Sequence, residues 1–288
     1  MREPYNKSEL AALCKAFGFT FSKSLGQNFL VDRNIAAKIA DACGLDAGAD
    51  VVEIGAGAGA LTVLLAARAR RVFAVELDGH LIPMLSAVCE GLPNVTVLHE
   101  DFLKIEPGRL SPRYVLAGNL PYQITSQVLA KAAEGAGGAG AMGGGGGGDA
   151  GCLRMVFMVQ KEVADRLLAA PGGRTYGAIS VLVQYHCEPE LVCDVSREVF
   201  MPKPKVGSAV VRLTPRGNAA DDPAVTARMF RLVKAGFGQR RKTLRNALAS
   251  AGYPEDTLLA ALEAAGIDPA RRAETLGPRD WYRLAEAL

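Results

Sequence analysis

The fold of this 288-residue chain is decided by VVEIGAGAGALT at residues 51–62. The first four residues predict a short apolar strand. The three alternating glycines predict a loop in which the backbone passes close to a ligand, because glycine has no Cβ. A helix follows to about residue 69, and a second strand at 72–75 ends in Glu76. This order of strand, loop, helix and strand predicts a parallel βαβ unit.

Further short apolar runs lie outward along the chain, at 95–98, 114–117 and 155–159, with helical stretches between them. Short strands alternating with helices indicate a buried parallel sheet, and right-handed crossovers make it doubly wound. Residues 191–193 and 208–213 predict two later strands that pair antiparallel. We therefore predict an α/β, Rossmann-like fold with a mostly parallel sheet and an antiparallel last strand.

Helices are predicted on both sides of this core. Before it, Ser8 opens a helix over 8–18, and Asp32 caps a helix that reaches Gly44. After Pro215 only helices are predicted, at about 223–236, 239–251, 255–265 and 278–287. The sequence thus predicts a first domain at 1–214 and a small, all-helical domain at 215–288.

The segment EGAGGAGAMGGGGGGDAG at 134–151 has a different composition from the rest of the chain. Its residues offer no side chains for a core, and glycine loses the most conformational entropy on ordering. We predict a flexible surface insertion without a catalytic role.

Composition excludes several classes of protein. The formal net charge is only +3, the six cysteines form no CxxC pair, and the three histidines show no metal-ligand spacing. No apolar run approaches the roughly 20 residues of a membrane span, and the N-terminus lacks the apolar stretch of a signal peptide. We expect a soluble, cytoplasmic protein with no metal ion and no membrane contact.

The glycine loop predicts a nucleotide-like ligand without identifying it. Glu76 ends the strand next to the loop, where a carboxylate can accept both hydroxyls of a ribose. GAGAGA also fits the looser pattern GxGxxA of dinucleotide-binding dehydrogenases. A tight turn that binds no ligand is the third reading, and Glu53 is expected to support the loop rather than to catalyse.

Two further features argue against a dehydrogenase. Asp101 follows the third strand, where it either caps a turn or accepts a hydrogen bond from an adenine amino group. Asn119-Leu120-Pro121-Tyr122 follows the fourth strand, at the sheet edge where open α/β folds bind ligands. Pro121 keeps Leu120 extended, so that nearby carbonyl groups can face the cleft, and Tyr122 offers a flat ring for stacking.

These groups suit an aromatic amine as the substrate. The N6 lone pair of adenine is delocalised into its ring and is a weak nucleophile. Two carbonyl acceptors that hold the N–H bonds favour a tetrahedral nitrogen, whose lone pair then faces a sulfonium methyl group. No strong base is needed, so catalysis rests on positioning and electrostatics.

The sequence resembles the KsgA-type small-subunit rRNA adenine dimethyltransferases, which are related to the erythromycin-resistance methylases and to the mitochondrial transcription-factor-B proteins. The resemblance runs in order from about residue 20 to the C-terminus, apart from the glycine-rich segment. The matching stretches are SLGQNFL (24–30), EIGAGAGALT (53–62), VELD (75–78), EDFL (100–103), NLPY (119–122), QKEVADRLLA (160–169), FMPKPKVGSAVVRL (200–213), FGQRRKTLRNAL (237–248) and RAETL (272–276).

The resemblance implies that S-adenosylmethionine is the cofactor and that the fold is that of a class I methyltransferase with a small helical domain. It implies contacts of Gly55 with the methionine part, of Glu76 with the ribose and of Asp101 with the adenine. Together with the residue pattern it predicts a cofactor-binding set of Asn28, Leu30, Gly55, Gly57, Glu76, Asp101 and Asn119.

The resemblance also implies how the target base is bound. Tyr122 and Phe200 are expected to sandwich an adenine that has left its stack. The predicted catalytic set is Asn119, Leu120, Pro121, Tyr122 and Phe200. Two residues depart from the family pattern: Ala56 stands where proline is usual, and Gln123 where asparagine or serine is common.

Basic residues gain a role from this comparison, since arginine and lysine bind RNA phosphates. The segment 240–245 is expected to open a C-terminal helix, and two lysines flank the loop after Phe200. The predicted RNA-binding set is Lys203, Lys205, Arg240, Arg241, Lys242 and Arg245, each of which could instead be a solvated surface charge.

The resemblance implies N6,N6-dimethylation of two adjacent adenosines in a hairpin loop near the 3′ end of 16S rRNA, by a monomeric enzyme that acts on the small ribosomal subunit. One alternative is a 23S rRNA adenine methylase of the resistance type. Another is a ribosome-assembly checkpoint or RNA-binding factor in which catalysis is secondary. The stretches at 237–248 and 272–276 favour the small subunit.

Overall fold

A computed structural model gives the structure of this chain and describes residues 4–21, 27–46, 48–137, 151–217 and 221–288. Within these ranges, no helix is both long and apolar enough to cross a membrane. The same residues contain no group of histidine, cysteine and acidic side chains that could hold a metal ion. All six cysteines are free thiols.

Seven of the strands form one mixed sheet, in the spatial order β4-β3-β2-β5-β6-β9-β7. The pairs β2–β3, β3–β4, β2–β5 and β5–β6 are parallel, whereas β9 is antiparallel to both β6 and β7. The predicted α/β class with an antiparallel last strand is therefore confirmed. The strands are β1 Phe29–Leu30, β2 Asp50–Ile54, β3 Arg71–Glu76, β4 Val95–His99, β5 Arg113–Asn119, β6 Gly151–Gln160, β7 Cys187–Val195, β8 Phe200–Met201 and β9 Ser208–Pro215.

Helices cover both faces of this sheet, and alternate side chains of each strand are buried against one face or the other. Val52 and Ile54 of β2 belong to one apolar core, and Val51 belongs to the other. The α-helices are α1 Lys7–Ala16, α2 Arg33–Ala42, α3 Ala60–Ala66, α4 Ile82–Val88, α5 Pro107–Leu110, α6 Thr125–Gly137, α7 Lys161–Leu168, α8 Ala178–His186, α9 Pro223–Gly238, α10 Leu244–Ala249, α11 Glu255–Ala264 and α12 Pro278–Ala287.

A second, very small sheet is absent from the sequence-based prediction. Strand β1 pairs antiparallel with β8, with Leu30 opposite Phe200, and the amide of Val31 donates to the carbonyl of Val199 at 2.8 Å. This pairing brings the segment before α2 to the segment before β9. Two-residue strands leave no periodicity in a sequence, because side-chain alternation needs several residues to be visible.

Helix α1 does not start as predicted. The carboxamide of Asn6, not the hydroxyl of Ser8, caps it by accepting a hydrogen bond from the amide of Glu9 at 2.8 Å. Ser8 instead donates to that carboxamide at 2.7 Å. Helix α2 begins as predicted, because the Asp32 carboxylate accepts hydrogen bonds from the amides of Asn34 and Ile35.

Both ends of the segment 134–151, the predicted flexible insertion, belong to regular elements. Residues 134–137 form the last turn of α6, and Gly151 begins β6. Residues 138–150 lie outside the described residues.

The C-terminal helices share an apolar core built around Trp281, which is fully buried. This core also includes Tyr176, Val181 and Tyr185 from the preceding segment. Helices α9 to α12 therefore pack against α8 and the segment before it, and the predicted division between residues 214 and 215 stays a prediction. One predicted helix start is wrong: residues 240–242 form a turn, and α10 begins after them, capped by Thr243.

Gly118, the residue before Asn119, sets the distance between β2 and β5 near the carboxyl ends of the two strands. A Cβ at position 118 would lie 2.4 Å from the carbonyl oxygen of Ile54, which belongs to the backbone and cannot rotate away. Glycine is therefore required if the two strands are to stay paired up to this level.

We expect Gly118→Ala to lower the free energy of unfolding by at least the roughly 1–3 kcal/mol of an overpacked site. Urea unfolding measures this. Gly135→Ala is the matched control, because a Cβ there meets no atom within 4 Å and lies in helix α6. It should raise the stability, by up to about 1 kcal/mol. Equal stabilities of wild type and Gly118→Ala would contradict the steric argument.

Candidate active site

A cleft opens at the carboxyl ends of β2, β3, β4 and β5, where the predicted ligand site lies. Its empty space is about 1210 Å³, including the part that is open to solvent. Most of the predicted cofactor-binding and catalytic residues line it: Asn28, Leu30, Gly55, Gly57, Glu76, Asp101, Asn119, Leu120, Pro121 and Tyr122.

The cleft is strongly acidic. Glu53, Glu76, Asp78, Glu100 and Asp101 line it, and its described lining contains no lysine, arginine or histidine. Such a surface favours a cationic ligand and disfavours a phosphate group.

The glycine loop forms the floor of the cleft. Gly55, Gly57 and Gly59 have φ angles of 70°, 59° and 87°, in the region that favours glycine. A Cβ at Gly57 would also lie 3.1 Å from the ring of Phe29. The loop is anchored to the next strand, because the amides of Gly55 and Ala56 both donate to the carbonyl of Val75, at 2.9 and 3.1 Å.

Glu76 lies at the end of β3 and is nearly buried. One carboxylate oxygen accepts a hydrogen bond from the amide of Gly57 at 2.8 Å, and the other accepts from the amide of Asp78 at 2.9 Å. Burial raises the pKa of Glu76, and these amide bonds oppose the rise. Each oxygen can accept more than one hydrogen bond, so the carboxylate is held in place and still able to bind ligand hydroxyls.

Asp101 fills one of the two roles that its sequence position allows, that of a turn cap. One oxygen of its carboxylate accepts a hydrogen bond from the amide of Leu103 at 2.9 Å and so caps the 3₁₀ turn Phe102–Lys104. The residue also lines the cleft. The cap fixes the orientation of the carboxylate without using all of its capacity to accept hydrogen bonds.

Asn119 ends β5, and its side-chain NH₂ donates to the main-chain carbonyl of Asn28 at 2.9 Å. Only the NH₂ group can donate to a carbonyl, so this contact fixes the orientation of the amide. The Oδ1 atom accepts no hydrogen bond from the described residues. Asn119 therefore keeps an unused acceptor in the wall of the cleft.

The two residues after Asn119 differ in whether their main-chain carbonyl oxygen already accepts a hydrogen bond. The Pro121 carbonyl already accepts hydrogen bonds from the amide of Ile124 at 3.2 Å and from the hydroxyl of Thr125 at 2.9 Å. The Leu120 carbonyl accepts none from the described residues. Leu120 thus offers the second unused carbonyl oxygen beside Asn119.

Of the two aromatic residues predicted to hold the base, Tyr122 lines the cleft and Phe200 does not. Tyr122 is half-buried, and its hydroxyl forms a hydrogen bond of 3.0 Å with that of Ser208. Phe200 is 1% exposed and packs in the core with Leu30 and Val195. Pairing of β8 with β1 turns this ring into the core, where its large apolar surface is removed from water, and the predicted sandwich of the target base stays a prediction.

Most of the predicted RNA-binding side chains already have partners. Lys203 forms an ion pair with Glu198, and Arg245 forms one with Glu255. Lys242 donates to the hydroxyl of Ser250 at 3.1 Å.

Arg240 is also engaged, since its guanidinium donates to the carbonyls of Arg174 and Tyr176 at 3.2 and 3.1 Å. It ties the turn after α9 to the segment before α8. Lys205 and Arg241 are exposed, and no described residue pairs with either. These two cations are therefore the members of the predicted set that need to break no contact in order to bind a phosphate.

A family model described as ribosomal RNA adenine dimethylase matches residues 18–288 of this chain. The chain belongs to the ribosomal RNA adenine dimethylase family. Ribosomal RNA small subunit methyltransferase A of Geobacillus thermodenitrificans is 43% identical and covers 94% of this chain and 92% of the relative. The same enzyme of Moorella thermoacetica is 42% identical and covers 96% of each chain.

Two solved structures share the fold. A dimethyladenosine transferase from Plasmodium falciparum has a TM-score of 0.72 and 26% identity, over 89% of this chain and 95% of that chain. The 23S rRNA methyltransferase ErmE has a TM-score of 0.66 and 31% identity, over 90% of this chain and 99% of that chain.

Sequence reasoning missed three features of the site, which are two contacts and one protonation state. Ser208 contacts Tyr122, and Asp78 accepts a hydrogen bond from Gln27 at 2.6 Å. Gln27 and Asp78 lie inside quoted motifs, but their contact joins positions that are 51 residues apart, and spacing alone does not reveal it.

The third is the protonation state of Glu53, which is fully buried beneath the glycine loop. Burial raises the pKa of Glu53 to about 8, with a contribution from the nearby charge of Glu76, although a hydrogen bond of 2.6 Å from the hydroxyl of Thr62 opposes the rise. At neutral pH the carboxyl group is mostly protonated. Glu53 thus supports the loop as a largely neutral group.

This shift predicts a pH dependence of stability. The pKa of Glu53 in the folded protein lies above the ordinary value of 4.5. The contribution of Glu53 to the free energy of unfolding is therefore fully present below about pH 4.5 and is lost as the pH rises towards 8. The loss is at most about 1.4 kcal/mol per pH unit. Glu53→Gln should give a flatter profile in urea unfolding between pH 5 and pH 8, because glutamine does not ionise. Its amide oxygen can still accept the hydrogen bond from Thr62.

The matched control is Glu90→Gln, which changes an exposed carboxylate. It should keep the wild-type slope. A slope in Glu53→Gln as steep as in wild type would show that Glu53 ionises normally in the folded protein.

Proposed function

We propose that this protein transfers methyl groups from S-adenosylmethionine to N6 of two adjacent adenosines in a hairpin loop near the 3′ end of 16S rRNA, on the small ribosomal subunit. The observation that carries the proposal is the pair of unused carbonyl oxygens of Asn119 and Leu120, next to the Tyr122 ring and the glycine loop. The same arrangement suits a planar aromatic amine.

The cleft suits S-adenosylmethionine in its polar groups and its charge. The positive-φ loop lets the backbone approach the methionine part, and Glu76 can accept hydrogen bonds from the ribose hydroxyls. Asp101 is fixed where it can accept from an adenine amino group. The bound cofactor supplies an electrophilic methyl group on a positively charged sulfonium, which an acidic cleft stabilises.

The same charge distribution argues against a dinucleotide. A nicotinamide cofactor carries two phosphates, whereas the described lining of this cleft has four carboxylates besides the mostly neutral Glu53 and no cationic residue. An acidic lining lowers the affinity for such a ligand. The dehydrogenase reading of the glycine pattern is therefore not retained.

In the proposed mechanism, Tyr122 stacks on the target base, and the carbonyl oxygens of Asn119 and Leu120 accept the two N6–H bonds. These acceptors favour a tetrahedral nitrogen whose lone pair faces the methyl carbon. Bound S-adenosylmethionine would supply the methyl group, and the methylated ammonium would lose its proton to solvent. The residues act by orientation and by stabilising positive charge on nitrogen, both of which matter most in the transition state.

The small subunit is proposed over the large one because two small-subunit relatives are 43% and 42% identical, whereas the 23S rRNA methyltransferase is 31% identical. We place the enzyme in the cytoplasm as a monomer, with residues 1–214 as its catalytic domain and 215–288 as a helical, RNA-contacting domain. The alternative of a 23S rRNA methylase, and that of an assembly factor with secondary catalysis, are outcomes of the test.

The deciding experiment incubates the protein and labelled cofactor with unmethylated small or large subunits and maps the modified base. Wild type should dimethylate adjacent adenosines of the small subunit only. Asn119→Ala should slow single-turnover methylation at least ~100-fold, as for the loss of one preorganised polar group. It should still co-sediment with the small subunit, because the contacts with RNA phosphates lie elsewhere.

Tyr122 provides the contrast. Tyr122→Ala loses a stacking face worth about 1–3 kcal/mol per base, so both base capture and rate should fall. Tyr122→Phe keeps the ring, removes the hydrogen bond to Ser208 and should stay close to wild type. A wild-type rate in Asn119→Ala would disprove the mechanism. Methylation of the large subunit instead of the small one by wild type would show that 23S rRNA is the substrate.

RNA binding is predicted to depend most on the two unpaired cations. Lys205→Ala combined with Arg241→Ala should weaken binding of the small subunit and flatten its dependence on salt, by roughly 0.7 in slope for each phosphate that is no longer neutralised. Lys15→Ala combined with Arg109→Ala removes the same charge from other exposed positions and is the matched control. Equal salt slopes for the two double variants would show that Lys205 and Arg241 are solvated surface charges.

A further inference from the structure

The segment 27–31 contributes residues 27–30 to the lining of the cleft and is anchored at both ends. On one side, Phe29 and Leu30 pair with β8, and the amide of Val31 donates to the carbonyl of Val199. On the other side, the side-chain NH₂ of Gln27 donates to the carboxylate of Asp78 at 2.6 Å. Between the two anchors lies Asn28, whose carbonyl accepts the amide of Asn119.

Asp78 is a rigid acceptor for Gln27. Its other carboxylate oxygen accepts hydrogen bonds of 3.0 Å from the amide and the ring Nδ1 of His80. The amide of Asp78 itself donates to Glu76, which also holds Gly57. Burial alone would raise the pKa of Asp78, but the hydrogen bonds from His80 and Gln27 outweigh it and hold the pKa below its usual value.

A chain of hydrogen bonds therefore links residues that line the cleft. It runs from the glycine loop through Glu76 and Asp78 to Gln27, and from the adjoining Asn28 to Asn119. The carbonyl that orients the Asn119 amide is thus only as fixed as the segment that carries it. The bond from Gln27 to Asp78 is one of the contacts that hold the segment on the side of Asn28 away from β1.

We infer that Gln27 is a positioning residue for methyl transfer: its hydrogen bond to Asp78 holds the Asn28 carbonyl that orients Asn119. This inference rests on the proposed function, and it adds a residue that acts through Asn119 rather than on the substrate. Loss of the bond lets the amide rotate, so that its oxygen no longer faces the amine in the reactive geometry. Small misplacements of this kind lower rates strongly, because catalysis here depends on orientation.

The test uses the full-length protein with unmethylated small subunits and saturating cofactor, in single-turnover methylation at pH 8. Gln27→Glu places a second carboxylate against Asp78 and should lower the rate about tenfold. In an Asp78→Asn background the same change should lower it less than twofold, because the new asparagine amide can donate to the new glutamate. Gln127→Glu makes the same change at an exposed position of α6 outside the cleft and should stay within twofold of wild type.

The readout that separates positioning from general damage is the Asn119→Ala background. If Gln27 acts through Asn119, Gln27→Glu should lower the remaining rate there by less than twofold, since coupled residues are not additive. An equal tenfold loss in both backgrounds would overturn the inference, as would an unchanged rate for Gln27→Glu alone. Absence of wild-type methylation on the small subunit would overturn the proposed function, and this inference with it.

Discussion

One hydrogen bond connects the two halves of the site: the amide of Asn119 donates to the carbonyl of Asn28, 91 positions away. Asn119 reaches this point because Gly118 lets β5 approach β2 at its end. The Asn28 carbonyl reaches it because β1 pairs with β8. Both conditions must hold before the side-chain oxygen of Asn119 is left free for a substrate.

The large sheet could be predicted from the sequence because its signals are local. The glycine loop, the apolar strands and the helix cap at Asp32 each follow from residues within a few positions of one another. The pairing of Phe29–Leu30 with Phe200–Met201 could not, because it joins two segments without a repeating pattern. The position of Phe200 depends on that pairing, so its burial in the core could not be predicted either.

Charged residues show the same limit. Sequence reasoning identified a basic segment at 240–245, but it could not assign partners to each cation. Arg245 pairs with Glu255 across the turn between two helices, and Arg240 binds carbonyls of residues 174 and 176. Such contacts depend on how distant segments pack. Lys205 and Arg241 differ from these neighbours in their surroundings rather than in residue type.

The acidic cleft and the external cations together constrain how RNA can be handled. Four carboxylates line the described cleft besides the mostly neutral Glu53, so a nucleotide that entered with its phosphates would be repelled. We expect the phosphates to stay outside, where the exposed Lys205 and Arg241 can neutralise them, while the neutral base enters alone. A base can do so only after leaving its stack, which is easiest in a hairpin loop, where pairing does not have to be broken. The electrostatics that favour a sulfonium cofactor therefore also favour an unpaired, flipped adenine as the substrate.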